Sequence, residues 1–403
     1  MLQTHYLSAF ERKLVNQLFE YMRRLLAATP TDFHRYLYPS IRWENRMLGL
    51  VGLRGTGKTT LFLQRICDEH SLSDTLYVTA DHMYFANHSL YETADTFVKD
   101  GGRFLFIDEV HKYPGWSRGL KAMYDAFPDL HVYFAGSSVL DIERGESDLS
   151  RRAPRYELQG LSFREYLAIA HGIEARAYSL DEIVSHEATV PGLTHPLPLF
   201  REYLRRGYYP FGADADFDIE LGQVITRTLE VDIPQFASLS PSMGTKLKRL
   251  MAIVSTLAPF KPNMTQLASQ LGVSRNSMGD YLGYLEKAGM IAQLRTSAHG
   301  IGALGKVDKV YLDNTNIPSN LSDGREDVGT VRETFFFNQM RVGHEVLASP
   351  ISGFLIGGRT FEVGGKNKGF DQLAGAVDGY VVADDIEFGH GRTIPLWTFG
   401  LSY

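Results

Sequence analysis

One cysteine in 403 residues, Cys67, leaves nothing from which to build an internal disulfide framework or a multi-cysteine zinc site. It falls in a segment expected to be helical and is read as a buried packing residue. No run of about 18 apolar residues occurs, so no segment is expected to span a membrane. Positive charge is not in excess: 41 Lys and Arg against 47 Asp and Glu give a net charge of -6, so any contact with nucleic acid has to be local. The opening MLQTHYLSAFERKL carries charges where a secretory signal needs an apolar stretch, and the expected location is the cytoplasm. There is no internal repeat and no low-complexity tract. The nearest histidine pairs, His82 with His88 and His186 with His195, lack the three- or four-residue spacing that sets two metal ligands on one helical face.

What is present is ordinary globular composition, 44% hydrophobic and 22% charged, in a chain long enough for several structural units. Residues 1–46 read as a helical lead-in, with Leu14, Leu18, Tyr21, Met22 and Leu25 at helical spacing until Pro30–Asp32 interrupts it. Residues 47–170 alternate short apolar runs with amphipathic stretches. The strand candidates are Met47–Val51, Thr75–Val78, Phe104–Ile107, Val132–Ala135 and Tyr156–Leu158. Such alternation predicts an α/β fold, a doubly wound parallel sheet whose strands are buried on both faces. The domain organisation predicted is an α/β domain over 1–175, a helical lid-like segment over 176–245, a helix-turn-helix unit over 246–300 and a tail over 301–403.

The segment from Gly52 to Thr59, GLRGTGKT, satisfies GxxxxGK[ST] and lies between the apolar strand MLGLV and the helix-like TTLFLQRI. Glycines let the backbone turn so that its N–H groups face phosphate, and the following helix adds its positive end. Gly52, Gly55, Thr56, Gly57, Lys58, Thr59 and Thr60 are therefore the predicted nucleotide-binding residues. Lys58 is expected to reach the β- and γ-phosphates, and the Thr59 hydroxyl to ligate Mg²⁺. About fifty residues on, RFLFIDE places Asp108 and Glu109 at the end of an apolar strand, where ligands of open α/β sheets bind. Asp108 is the predicted metal carboxylate, and Glu109 the base that orients and deprotonates a water. A third apolar strand ends in Ser137 and Ser138, either of which suits a sensor of the γ-phosphate. A cation for the transition state is sought in Arg151 and Arg152, with Arg155 a weaker candidate.

With these elements read, the chain resembles prokaryotic AAA-type P-loop ATPases that pair a nucleotide domain with a winged helix and a further C-terminal domain. The resemblance rests on IRWENRMLGLVGLRGTGKTTLFLQ, FLFIDEVHKYPGWSRGLKAMYD, FAGSS and LQGLSFREYL, and includes His111, Lys112, Trp116 and Lys121. It implies ATP as the nucleotide, and a core in which the serine-bearing strand lies between the phosphate-loop and acidic strands. It also implies that the arginine is supplied in cis or by a neighbour in an oligomer. Where the family commonly has Gly-Arg, this chain has Ser150-Arg151-Arg152, which leaves the acting arginine open.

Residues 264–277 read as helix, glycine turn and a second helix capped by Ser274, with a wing strand expected after Ala288-Gly289. The second helix balances Arg275 and Lys287 against Asp280 and Glu286. DNA contact through Arg275, Asn276 and Tyr281, with Lys246, Lys248 and Arg249 nearby, therefore stands as an alternative to a protein-packing module. In the tail, Glu333, Glu362, Lys366 and Lys368 resemble a PD-(D/E)xK nuclease core. The expected first strand acid is missing, however, because its place is taken by Ser352-Gly353, so a degenerate restriction-endonuclease-like domain is expected. The function predicted is ATP hydrolysis driving a conformational switch. The alternatives are a nucleotide-gated DNA-binding regulator or an ATP-regulated nuclease, and a protein partner is an open expectation.

Overall fold

Four apolar runs and one short polar segment become the strands of one parallel sheet: β1 (Met47–Val51), β2 (Thr75–Thr79), β3 (Phe104–Asp108), β4 (His131–Ala135) and β5 (Arg155–Glu157). Their order across the sheet is β2-β3-β4-β1-β5. The computed structural model describes residues 9–136, 149, 151–237, 242–297, 306–321 and 327–403. It divides into two compact units, Met1–Gln159 and Gly160–Tyr403.

In the first unit, alternate side chains of β1 to β4 feed two cores, as the period of two requires. On one face Met47, Val51, Leu76, Val78, Leu105, Ile107, Val132 and Phe134 pack with α3 (Leu90–Lys99) and α4 (Trp116–Ala126). On the other face Leu48, Leu50, Tyr77, Phe106, Tyr133 and Ala135 pack against Leu61, Phe62, Leu63 and Ile66 of α2 (Lys58–Glu69). Helices on both faces make the sheet doubly wound. The lead-in helix α1 (Ala9–Ala27) sends Leu18 to one core and Met22 to the other.

Cys67 corrects an expectation: it is exposed, not buried. Leu61–Leu63 and Ile66 cover the sheet, but the last turn of α2 passes beyond that cover, and Asp68 and Glu69 are exposed beside the cysteine. Immediately after it, His70 packs its ring on Phe104 at 4.3 Å and Phe106 at 5.5 Å. Burial, helped by the Arg65 guanidinium, pushes its imidazole down to about 4. The fold thus holds His70 neutral while the unfolded chain protonates near the ordinary value of about 6.5. The resulting stability is whole above that value and is lost as pH falls from there towards 4. We expect the urea midpoint of the first unit to drop between pH 7 and pH 5, and His70→Asn to shrink the drop. The part due to His131, lowered by burial and by Arg103, should remain. An identical acid-side drop in the variant would refute this.

The second unit opens with short helices: α5 (Phe163–His171), α6 (Leu180–Val184), α7 (Leu197–Glu202), α8 (Phe217–Arg227) and α9 (Ile233–Ala237). Next come α10 (Ser242–Leu257), α11 (Met264–Leu271) and α12 (Arg275–Lys287). Gly272 ends α11 at φ 61°, and the Ser274 hydroxyl accepts from Ser277 N–H to start α12, so turn and cap lie where the sequence predicts them. Then β6 (Ile291–Thr296) and β7 (Val307–Leu312) form an antiparallel hairpin.

That hairpin also belongs to a seven-stranded sheet, with order β12-β11-β10-β9-β8-β6-β7. The other strands are β8 (Leu347–Ala348), β9 (Phe354–Ile356), β10 (Arg359–Gly364), β11 (Gly379–Ala383) and β12 (Thr393–Pro395). The sheet therefore runs across residue 300, because β6 finds a parallel neighbour in β8 of the tail. Two helices, α13 (Asn316–Leu321) and α14 (Val328–Met340), intervene in sequence, and α14 is buried over its whole second half from Thr334 to Met340. After β12 the apolar run continues as a 3₁₀ helix over Leu396–Leu401. Pro395 lacks the N–H that would extend a ladder, and the Thr398 hydroxyl donates back to its carbonyl at 2.7 Å.

Candidate active site

The turn from β1 into α2 is shaped by its glycines. Gly52 stands at φ 152°, and a Cβ there would come within 2.3 Å of the Leu158 carbonyl oxygen, so strand exit and loop start share one tight space. Gly57 precedes α2 at φ 94°, ψ 21°, a conformation that costs glycine little. Loop carbonyls are tied inward: Thr56 Oγ1 donates to Leu53 O at 2.9 Å, and Lys58 Nζ donates to Gly52 O at 2.9 Å and to Leu53 O at 2.7 Å. Lys58 is 5% exposed. Burial lowers its ammonium to about 8, against the opposing pull of the Glu109 and Asp108 carboxylates. Thr59 is exposed, and Gly55 stands at φ 82° at the loop's outer edge.

At the end of β3 the buried Asp108 carboxylate gathers three donors. Thr59 Oγ1 reaches Oδ2 at 2.5 Å, the Tyr77 hydroxyl reaches the same oxygen at 3.0 Å, and Glu109 N–H reaches Oδ1 at 2.8 Å. Loop threonine and strand aspartate, 49 residues apart in sequence, are thus in contact. Glu109 itself takes a left-handed backbone, φ 47°, ψ 35°. For a residue with a Cβ this costs on the order of 1 kcal/mol, and such outliers concentrate at working sites. Its carboxylate lies 3.5 Å from Nε2 of the buried His111. Tyr77 is fully buried in β2, and desolvation together with Asp108 holds its phenol far above the ordinary value, so it stays a hydrogen-bond donor.

The strand order puts β4 between β1 and β3, as the resemblance implies. Ser137 and Ser138, which follow β4, lie outside the described residues. Of the arginine candidates, Arg151 is exposed, whereas Arg152 approaches Asp125 of α4 at 3.3 Å and lies over the Tyr124 ring. Arg155 is exposed on β5.

Two residues that sequence reading passed over support the site. Arg35, 6% exposed, donates to Thr56 O at 2.5 Å and to Gln159 O at 2.7 Å. In the sequence Tyr77 reads only as a position of the strand candidate Thr75–Val78. No spacing rule marks either, because each partner is remote in sequence. The one available signal was a charged residue between aromatics in HRYLY.

In the second unit, Tyr281 is corrected as a DNA-contact candidate: it is 8% exposed and faces the core beside Leu282 and Leu285. Arg275 and Asn276 are exposed, but Glu286 is held by Arg295 and Gln293, and Lys248 pairs with Glu230. In the tail, Glu362 accepts from Ser352 Oγ at 2.6 Å and pairs with Lys368 at 2.6 Å, while Glu333 accepts from Tyr311 at 2.7 Å. Glu362, the strand acid of that resemblance, is thus bonded to the chain's own Ser352 and Lys368. Among the described residues no three His, Cys, Asp or Glu side chains gather as a metal cluster, and no helix is long and apolar enough to cross a membrane.

Comparison with known proteins agrees with the geometry of the first unit. The pattern of the AAA domain family matches residues 44–167, and that of a domain of unknown function matches residues 197–323. The uncharacterized protein MJ1637 of Methanocaldococcus jannaschii is 23% identical over an alignment 317 positions long that covers 69% of this chain and 66% of that protein. The chain thus spans a little under two thirds of this relative's length. Among solved structures, the Walker-type ATPase paby2304 of Pyrococcus abyssi is 11% identical at a TM-score of 0.41, covering 78% of this chain and 95% of that one. The Thermotoga maritima RuvB Holliday junction branch migration motor is 16% identical at a TM-score of 0.29, covering 68% and 89%. At those scores the two structures add no weight, and the assignment rests on the strand order, the phosphate loop and the family pattern. Residues 44–167 match the AAA domain family and have the parallel sheet and phosphate loop of the P-loop NTPase fold.

Proposed function

We propose that the chain binds ATP with Mg²⁺ and hydrolyses it, and that this cycle drives a conformational switch. Its output would run through the helix-turn-helix segment, which we read as a winged helix, and through the C-terminal sheet, which we read as a degenerate nuclease-like domain. The observation that carries the proposal is the meeting of Lys58, Thr59, Asp108 and Glu109 at the C-terminal edge of one parallel sheet. A hydroxyl and a carboxylate oxygen in contact form a hard-oxygen donor pair that suits Mg²⁺. Bound there, the ion would neutralise charge developing on the β- and γ-phosphate oxygens.

The chain's own residues would do the rest. Backbone N–H groups from Gly55 to Thr60 hold phosphate oxygens, and Lys58 turns its ammonium from the loop carbonyls to the phosphates. Glu109, set apart from Asp108 by its left-handed backbone, orients a water and takes its proton. Ser137 or Ser138 reads the γ-phosphate, and Arg151 or Arg152 supplies the transition-state cation within the subunit or to a neighbour. A second reading, a nucleotide-gated DNA binder, draws on the exposed Arg275 and Asn276 at the start of α12.

The test is ATP turnover by the purified chain with Mg²⁺, with a chelator, and with added duplex DNA. Turnover that needs Mg²⁺ supports hydrolysis, and stimulation by DNA would make the winged helix a nucleic-acid module. Mg²⁺-dependent turnover indifferent to DNA points to a protein partner. Nucleotide binding without turnover would sink the hydrolytic reading and leave a switch.

A further inference from the structure

Arg35 has no part in the chemistry above, yet it is an almost fully buried guanidinium, and a buried cation is retained only where acceptors hold it. Two of its acceptors are backbone carbonyls 103 residues apart in sequence, Thr56 O at 2.5 Å in the phosphate loop and Gln159 O at 2.7 Å after β5. We propose that Arg35 is a positioning residue that sets the phosphate loop and passes its nucleotide state to the Gln159–Gly160 junction. This inference rests on the nucleotide reading of the site.

The first half of the argument is peptide geometry. In a trans peptide the C=O and the following N–H point in opposite directions. Holding Thr56 C=O on the Arg35 side therefore turns Gly57 N–H to the other side of the loop, where the phosphates are received. Lys58 and Thr56 tie down Gly52 O and Leu53 O, so Arg35 completes the set of inward-turned carbonyls.

The second half is the packing around Gln159. Leu158 N–H donates to Val51 O at 2.8 Å, and the Leu158 carbonyl occupies the space a Cβ on Gly52 would need. Tyr36, next to Arg35, accepts from Gln159 N–H at 3.3 Å and donates to Glu157 O at 3.3 Å. Residues 35 and 36 thus hold the exit of β5 by both of its backbone polar groups. A shift of the Thr56 peptide on phosphate binding must be shared with Gln159, because one rigid planar fork serves both. Gln159 is the last residue of the first unit, and the chain enters the second at Gly160.

The test uses the full chain, a fluorescent ADP analogue with Mg²⁺ as probe, and hydrogen exchange over residues 156–160. In wild type we expect nucleotide to slow exchange in that segment. Arg35→Gln is expected to weaken nucleotide binding roughly tenfold, the loss of a charge-assisted bond. At saturating nucleotide it should abolish the exchange response at 156–160 while α2 remains protected. Arg35→Lys keeps the charge but lacks the fork, so it guards against simple misfolding and should bind better than Arg35→Gln without restoring the response. A full response at 156–160 in the saturated lysine variant would overturn the coupling, as would a wild type that binds nucleotide with no response there. Failure of wild type to bind the analogue at all would instead take down the nucleotide reading, and this inference with it.

Discussion

Replacing Glu109 with glutamine is expected to cut ATP turnover by about a hundredfold or more while leaving nucleotide affinity near the wild-type value. Glutamine keeps the size and can still orient a water, but it cannot accept the water's proton at neutral pH. Binding is carried by other groups: the loop N–H donors, Lys58, and the Thr59–Asp108 pair. Because Glu109 N–H already bonds Asp108 Oδ1 through the backbone, the substitution leaves that contact in place. Turnover and equilibrium binding of an ATP analogue should therefore separate. A variant that turns over ATP at the wild-type rate would remove Glu109 from catalysis and send the search for the base elsewhere. One that no longer binds would mean the carboxylate is needed to organise the loop, through its approach to His111.

Lys58→Met is expected to weaken nucleotide binding by about a hundredfold or more, since a charge-assisted contact to phosphate is lost where water is excluded. The fold should tolerate the change, because the cost of burying an ammonium disappears while two loop carbonyls lose a donor. The two effects oppose each other, and the thermal midpoint without nucleotide should shift by only a few degrees. The wild-type affinity should also carry a signature in pH. Burial has brought the Lys58 ammonium down to about 8. Phosphate binds its protonated form, so affinity should be level below that pH and fall above it, at most about tenfold per pH unit for one linked proton. Calorimetry at pH 7 and pH 9 reads both the fall and the proton taken up on binding. A flat profile to pH 9.5, or a methionine variant with the same slope as wild type, would show that another group sets the dependence.

Much of the first unit was legible because its signals are local. Near-continuous apolar runs announce β1 to β4, covered on both faces, and all five strands begin and end within a residue or so of expectation. Glycines at fixed offsets announce a turn that only they enter cheaply, and Gly52, Gly55 and Gly57 all adopt positive φ. In the second unit the Gly272 turn and the Ser274 cap were readable for the same reason. Misreadings came where burial depends on what lies opposite. Cys67 sits on an apolar-looking helix whose last turn outruns the sheet, and Tyr281, a polar-tipped aromatic, turns inward. Likewise β12 ends at Pro395, and the apolar run after it becomes a 3₁₀ helix.

The sequence by itself determined the parallel α/β core, the phosphate loop and the acidic strand end, since each depends on neighbours within a few residues and on periodicities of two and 3.6. Only the tertiary structure decided which side chains meet. It brought Thr59 to Asp108, set the Tyr77 phenol on the same carboxylate, and closed Arg35 onto Thr56 and Gln159. It also carried the β6–β7 hairpin into the sheet of the tail by pairing β6 with β8. Such contacts span dozens to more than a hundred residues. No local propensity encodes them, because what selects them is the joint burial and hydrogen bonding of groups that become neighbours only once the sheets have formed.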